Sequence, residues 1–158
     1  MTDYLPYFFG PRADYYCQVV DDLEQGKVRF NEGAFFFGMF WMAYRKMYAN
    51  AAITFALIMA ESALEDWLIP VLSETYAYML VSNLLIASLI GFSGNRLYST
   101  FSRRQVARLT QRPILQDAAS ERDVLAVLRR QGGVSWVGPL VLLLAFIGLT
   151  TLIFYITM

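Results

Sequence analysis

Residues 134–158 run for 25 positions without one charged side chain. A run of twenty or more apolar residues matches the ~30 Å hydrocarbon layer of a bilayer, which restricts this part of the chain to a membrane-crossing helix. Trp136 and Tyr155 lie nineteen residues apart. That is about 28 Å along a helix, the separation of two aromatic interface belts. A second run at 76–92, YAYMLVSNLLIASLIGF, holds Asn83 as its one strongly polar residue. Ala87, Gly91 and Asn95 follow at steps of four, a ridge of small side chains that lets another helix approach closely, and Gly38 offers the same opportunity earlier. A third apolar segment occupies 47–68, with Glu61, Glu65 and Asp66 near its far end. The expected fold is therefore all-α: an integral membrane protein with three transmembrane helices.

Before these spans, residues 34–48 read AFFFGMFWMAYRKMY. The eleven apolar residues ahead of Arg45 make about 16 Å of helix, half a bilayer, so 34–46 is expected as an interfacial or re-entrant aromatic helix. Residues 1–33 and 96–133 carry short amphipathic helices. In the first, Tyr16, Val19, Val20 and Leu23 share a face and Gly26 ends the helix. In the second, Ser120 and Asp123 form a capping pair and Gly132–Gly133 closes the helix. The expected organisation is an N-terminal cytosolic segment (1–33), a membrane domain (34–98, with spans 47–68 and 76–95), an arginine-rich cytosolic segment (96–133) and a final transmembrane helix (134–158).

Charge sets the orientation. The net charge is zero, yet eight of the arginines fall between 96 and 130, whereas 61–75 holds four acids and no base. Basic residues in short loops stay cytoplasmic. The N-terminus is expected inside and the C-terminus outside. Arg45, Lys46, Arg96, Arg103, Arg104, Arg108 and Arg112 are expected to anchor at anionic phospholipid headgroups, with Trp136 and Tyr155 as aromatic anchors. Tyr98, Phe101 and Leu109 occupy a helical face apart from these arginines, so the second span is expected to continue as a basic helix. No nucleic-acid-binding pattern accompanies them, and no nucleic-acid partner is expected.

The chain has no histidine and a single cysteine, Cys17. This removes the commonest general base and metal ligand, any intrachain disulfide and any all-cysteine cluster. No catalytic residues, cofactor or metal site are expected, because no set of nucleophile, base and orienting group assembles from what is left.

Two elements are recognisable. FNEGAFFFGMFWMAYRKMY at 30–48 resembles the signature of the domain of unknown function 2628, a family of small bacterial inner-membrane proteins, and Gly94-Asn95-Arg96-Leu97-Tyr98 resembles a second family element. Phe30, Asn31, residues 34–38, Trp41 and 44–48 carry the likeness. Glu32 stands in place of the usual Trp, and Met39 in place of Pro. The resemblance implies residence in the bacterial cytoplasmic membrane and no particular activity. Small size, packing ridges and aromatic segments outside the spans lead to the expectation of a non-catalytic accessory subunit of a larger membrane complex. The alternative is a small transporter or channel component, single or oligomeric, with Asn83 and Asn95 lining a solute path.

Overall fold

The computed structural model describes residues 4–68, 76–111 and 121–157, and every regular element among them is helical. The longest helix, α5 (Tyr76–Thr110), has 35 residues, about 52 Å. It merges the expected second span with the start of the arginine-rich segment. Its buried residues begin only at Gly91, so the first half of the helix presents Leu80, Val81, Leu84, Leu85 and Leu89 outward. The last helix, α7 (Val137–Thr157), is likewise apolar and mostly exposed, with Gly138, Leu142, Phe146 and Leu149 half-buried. These two helices are long and apolar enough to cross a membrane. In α4 (Tyr48–Leu68) the apolar stretch Tyr48–Leu64 is shorter than these two. The expectation of three spans is thus met by two helices on length and composition.

Within the segment expected as an interfacial or re-entrant element, α3 (Glu32–Tyr44) is the centre of the packing. It lies against α4, α5 and α7. Asn31 caps its start, its Oδ1 accepting from the Ala34 amide at 2.8 Å. That satisfies one of the free amides every helix leaves at its first turn. The helix breaks at Gly38, whose φ of +47° is strained for any residue with a Cβ. Two short helical pieces result, and Ala34, Trp41, Met42 and Ala43 face inward while Phe36 stays 74% exposed. Gly38 therefore kinks α3. It provides no close helix contact, since a Cβ there would meet only Ile90 Cδ1 at 3.8 Å.

The N-terminal piece forms α1 (Leu5–Phe9), a 3-10 turn at Gly10–Arg12 and α2 (Ala13–Glu24). Gly26, at φ +75°, ends α2 in a Schellman motif: its amide reaches the Leu23 carbonyl and the Lys27 amide reaches Asp22. Tyr16, Val19 and Val20 are buried, as the sequence face predicts, and α1 and α2 pack on the chain's own α5. Opposite α1 lies α6 (Glu121–Gln131), seated through Leu128. The Gly133 amide donates to the Phe8 carbonyl at 2.7 Å, and a Cβ on Gly132 would collide with that same carbonyl. Together α1, α2, α6 and the second half of α5 make a small helical head. The expected cap at Ser120 and Glu74 of the 61–75 loop lie outside the described residues.

Candidate functional site

Arg45 follows the last residue of α3 and is 4% exposed. Its guanidinium carbon lies 4.5 Å from the centre of the Tyr16 ring, 5.2 Å from Tyr98 and 5.9 Å from Tyr44. Tyr16 and Tyr98 meet edge to face at 4.7 Å, and Trp41 packs on Tyr98 at 6.0 Å. Helices α2, α3 and α5 thus each supply aromatic faces whose negative quadrupoles stabilise the cation. Burial pushes the Tyr16 phenol above its ordinary value, with the Arg45 charge opposing. Among the described residues Arg45 makes no ion pair, and its Nε and Nη1 have no hydrogen-bond partner. Tyr98 Oη and Ser102 Oγ, one turn apart on α5, are buried and unpartnered too. Arg45, expected as a headgroup anchor, is covered by residues of α2 and α5 in this structure.

Lys46 also turns inward. It has φ +60° and closes α3 in a second Schellman motif, its amide bonding the Ala43 carbonyl while the Met47 amide bonds Met42. Its Nζ donates to the carbonyls of Arg130 (2.9 Å) and Gly132 (2.5 Å), the free carbonyl end of α6. Burial pulls its ammonium below the ordinary lysine value. Lys46 is a cap for α6, in a favourable position at the negative end of that helix.

Beside Arg45 lies a cavity of about 560 Å³, bounded by α2, both ends of α3 and the approach to α7. Its wall includes Arg12, Arg29, Arg45, Glu32, Trp41 and Trp136. Arg29 is held by Asp22 at 3.4 Å and lies over the Tyr15 ring at 4.9 Å. Arg12 is exposed. The volume falls within the range of small-ligand sites.

The other expected anchors are spread out. Arg96, Arg103, Arg104 and Arg108 are exposed along α5, and Arg103 is paired with Glu24 of α2. Arg112 lies outside the described residues. Trp136 (75% exposed) packs its ring on Tyr44 at 4.9 Å, and Tyr155 (83% exposed) stands free near the far end of α7. Of the expected packing residues, Gly91 and Asn95 meet α3 or its approach, while Ala87 is half-buried. A Cβ at Gly91 would meet the Phe30 ring at 2.5 Å. Asn95 donates to the Arg29 carbonyl at 2.9 Å and accepts from Asn31 Nδ2 at 2.7 Å, and the Asn31 amide in turn bonds the Gly91 carbonyl at 3.0 Å. Asn95 is buried in this network, whereas Asn83 is exposed on α5 and its side-chain amide donates to the Met79 carbonyl at 2.7 Å. Gly94, Gly138 and the Asn31 pairing were not predicted. A Cβ on Gly94 would meet Ala34 Cβ at 2.6 Å, and one on Gly138 the Ala43 carbonyl at 2.6 Å. No group of three or more potential metal ligands occurs among the described residues.

The family described as "Protein of unknown function (DUF2628)" matches residues 16–104, from Tyr16 in α2 to the arginine segment of α5. The matched part contains Asn31, Arg45, Asn95 and Tyr98. No curated protein and no solved structure matches the chain.

Proposed function

The chain belongs to the DUF2628 family, and from that premise, which brings no activity with it, we propose that it is a non-catalytic accessory subunit of a bacterial inner-membrane complex. The observation that carries this reading is how little its apolar helices cover one another. Helices α4, α5 and α7 each pack on α3, but they meet one another at few points, among them the Phe55 and Phe146 rings at 6.5 Å. The outward rows of Leu, Ile, Val and Phe on α5 and α7 need lipid or protein to cover them. In a bilayer, helices associate through small-residue contacts and packing, which favours a partner with its own helices.

The geometry also supports a third span. Helix α4 leaves α3 at the head, and Ser82 near the opposite end of α5 donates to its Glu61 at 2.9 Å. A helix that accompanies α5 from the head to that end traverses the same layer as α5 does. The basic head is then cytoplasmic and the end of α7 outside.

Affinity purification in mild detergent tests the subunit reading. A membrane protein recovered in fixed stoichiometry is the expected result; recovery of this chain alone as a monomer sinks it. The Glu61–Ser82 contact favours transport as a second reading, because ionisable groups at membrane depth mark ion and solute paths. Solute flux in liposomes containing this protein alone, abolished by Glu61→Gln, would favour transport over the subunit role.

A further inference from the structure

We propose that the cavity beside Arg45 is a binding site for a phosphate-bearing anion. Three arginines (Arg12, Arg29 and Arg45) line it against one carboxylate, Glu32. Arg29 is already engaged by Asp22, and Glu32 is exposed and forms no ion pair with Arg45. Arg45 therefore brings to a site about 560 Å³ in volume a charge that no ion pair among the described residues meets. Burying an ion without an opposite charge costs several kcal/mol. Aromatic faces return part of that, on the order of 2 kcal/mol when desolvated. Water in the cavity leaves the charge in place, whereas an anion meets it. A phosphate offers the arrangement of oxygens that guanidinium forks match best.

Two sources share this chemistry: a lipid headgroup and a soluble phosphate ester. Trp136 and Pro139 bring the cavity to the start of α7, the level a headgroup occupies if α7 crosses the bilayer. The proposal goes beyond the subunit reading and is decided separately from it, since the isolated chain is tested.

Trp41 and Trp136 both line the cavity, and the third tryptophan, Trp67, lies on α4. The protein with Trp67→Phe, held in a non-ionic sugar detergent, is titrated with inorganic phosphate, glycerol phosphate, phosphatidylglycerol and, as a control, phosphatidylcholine. A saturable change in tryptophan emission is expected with phosphatidylglycerol and absent with phosphatidylcholine. Saturation by the soluble phosphates as well assigns a free phosphate site; saturation by phosphatidylglycerol alone assigns a lipid headgroup. Arg45→Gln is expected to raise the half-saturation about tenfold or more, the scale of a lost charge-assisted bond. Arg12→Gln, at an exposed position, is expected to raise it about threefold. No saturable response to any anionic probe, or equal responses to the two lipids, overturns the proposal. So does a curve for Arg12→Gln that overlays the unsubstituted one when Arg45→Gln either matches it too or fails to fold.

Discussion

Lys46 occupies the left-handed position where a helix end ordinarily carries glycine. The backbone cost for a residue with a Cβ is about 1–2 kcal/mol. Its side chain offsets this through charged hydrogen bonds to the Arg130 and Gly132 carbonyls. Lys46→Met keeps the strain and loses both bonds, so it is expected to destabilise by about 2–3 kcal/mol. Lys46→Gly loses the same bonds but relaxes the backbone and should fall about 1 kcal/mol short of that. Thermal unfolding of the two variants in detergent measures the difference; a Lys46→Gly protein more stable than the parent would show the side chain contributes nothing. The Asn31–Asn95 pair, 64 residues apart, is the other decisive contact at this scale. Asn95→Ala strands a buried amide and should cost about 2 kcal/mol, with a coupling to Asn31→Ala of about 1 kcal/mol in a double-mutant cycle. Such partners explain what the sequence concealed. Arg45 and Lys46 between two apolar runs form the same local pattern whether their heads enter lipid headgroups, an aromatic cage or the end of a helix 86 residues away. Only the fold distinguishes these.

At the scale of elements, local periodicity carried the reading well where one helix faces one environment. The apolar runs became α5 and α7, and the face of Tyr16, Val19 and Val20 became the underside of α2. It carried less where two helices meet. The four-residue ridge of Ala87, Gly91 and Asn95 foretells a close approach, but the tightest contact of α5 with α3 uses Gly94 against Ala34, because α3 meets α5 near its own N-cap. A ridge is a property of one helix and a crossing point a property of two. The consequence is a ranking. Gly94→Ala puts its Cβ against the fixed Cβ of Ala34, whereas Gly91→Ala meets the Phe30 ring, a side chain that can swing away. Gly94→Ala should therefore destabilise by about 2 kcal/mol and Gly91→Ala by about half as much. Equal unfolding temperatures for the two would show that α5 slides freely on α3. Gly138→Ala collides with the backbone carbonyl of Ala43 and should detach α7 without unfolding the head. Faster proteolysis confined to the approach to α7 is the expected mark.

For the molecule as a whole, the prediction concerns sidedness. With Cys17→Ser as background, a cysteine placed by Ile156→Cys, at an exposed position, should react with an impermeant maleimide in intact cells. One placed by Gln25→Cys, beside the exposed end of α2, should react only after permeabilisation. Labelling of both from one side would contradict an odd number of crossings.

The seam between the head and the approach to α7 bears on how the protein is made. The carbonyls of Phe8 and Tyr44 receive the amides of Gly133 and Ser135, and the Lys46 ammonium finds its carbonyls at Arg130 and Gly132, 84 and 86 residues downstream. A ribosome releases α1 to α3 long before it reaches those residues. The inner faces of the early helices stay unsealed while α4 and α5 are made. Closure of the head then reports that translation has passed Ser135. A nascent chain halted earlier lacks the partners of the Phe8 carbonyl and of the Lys46 ammonium.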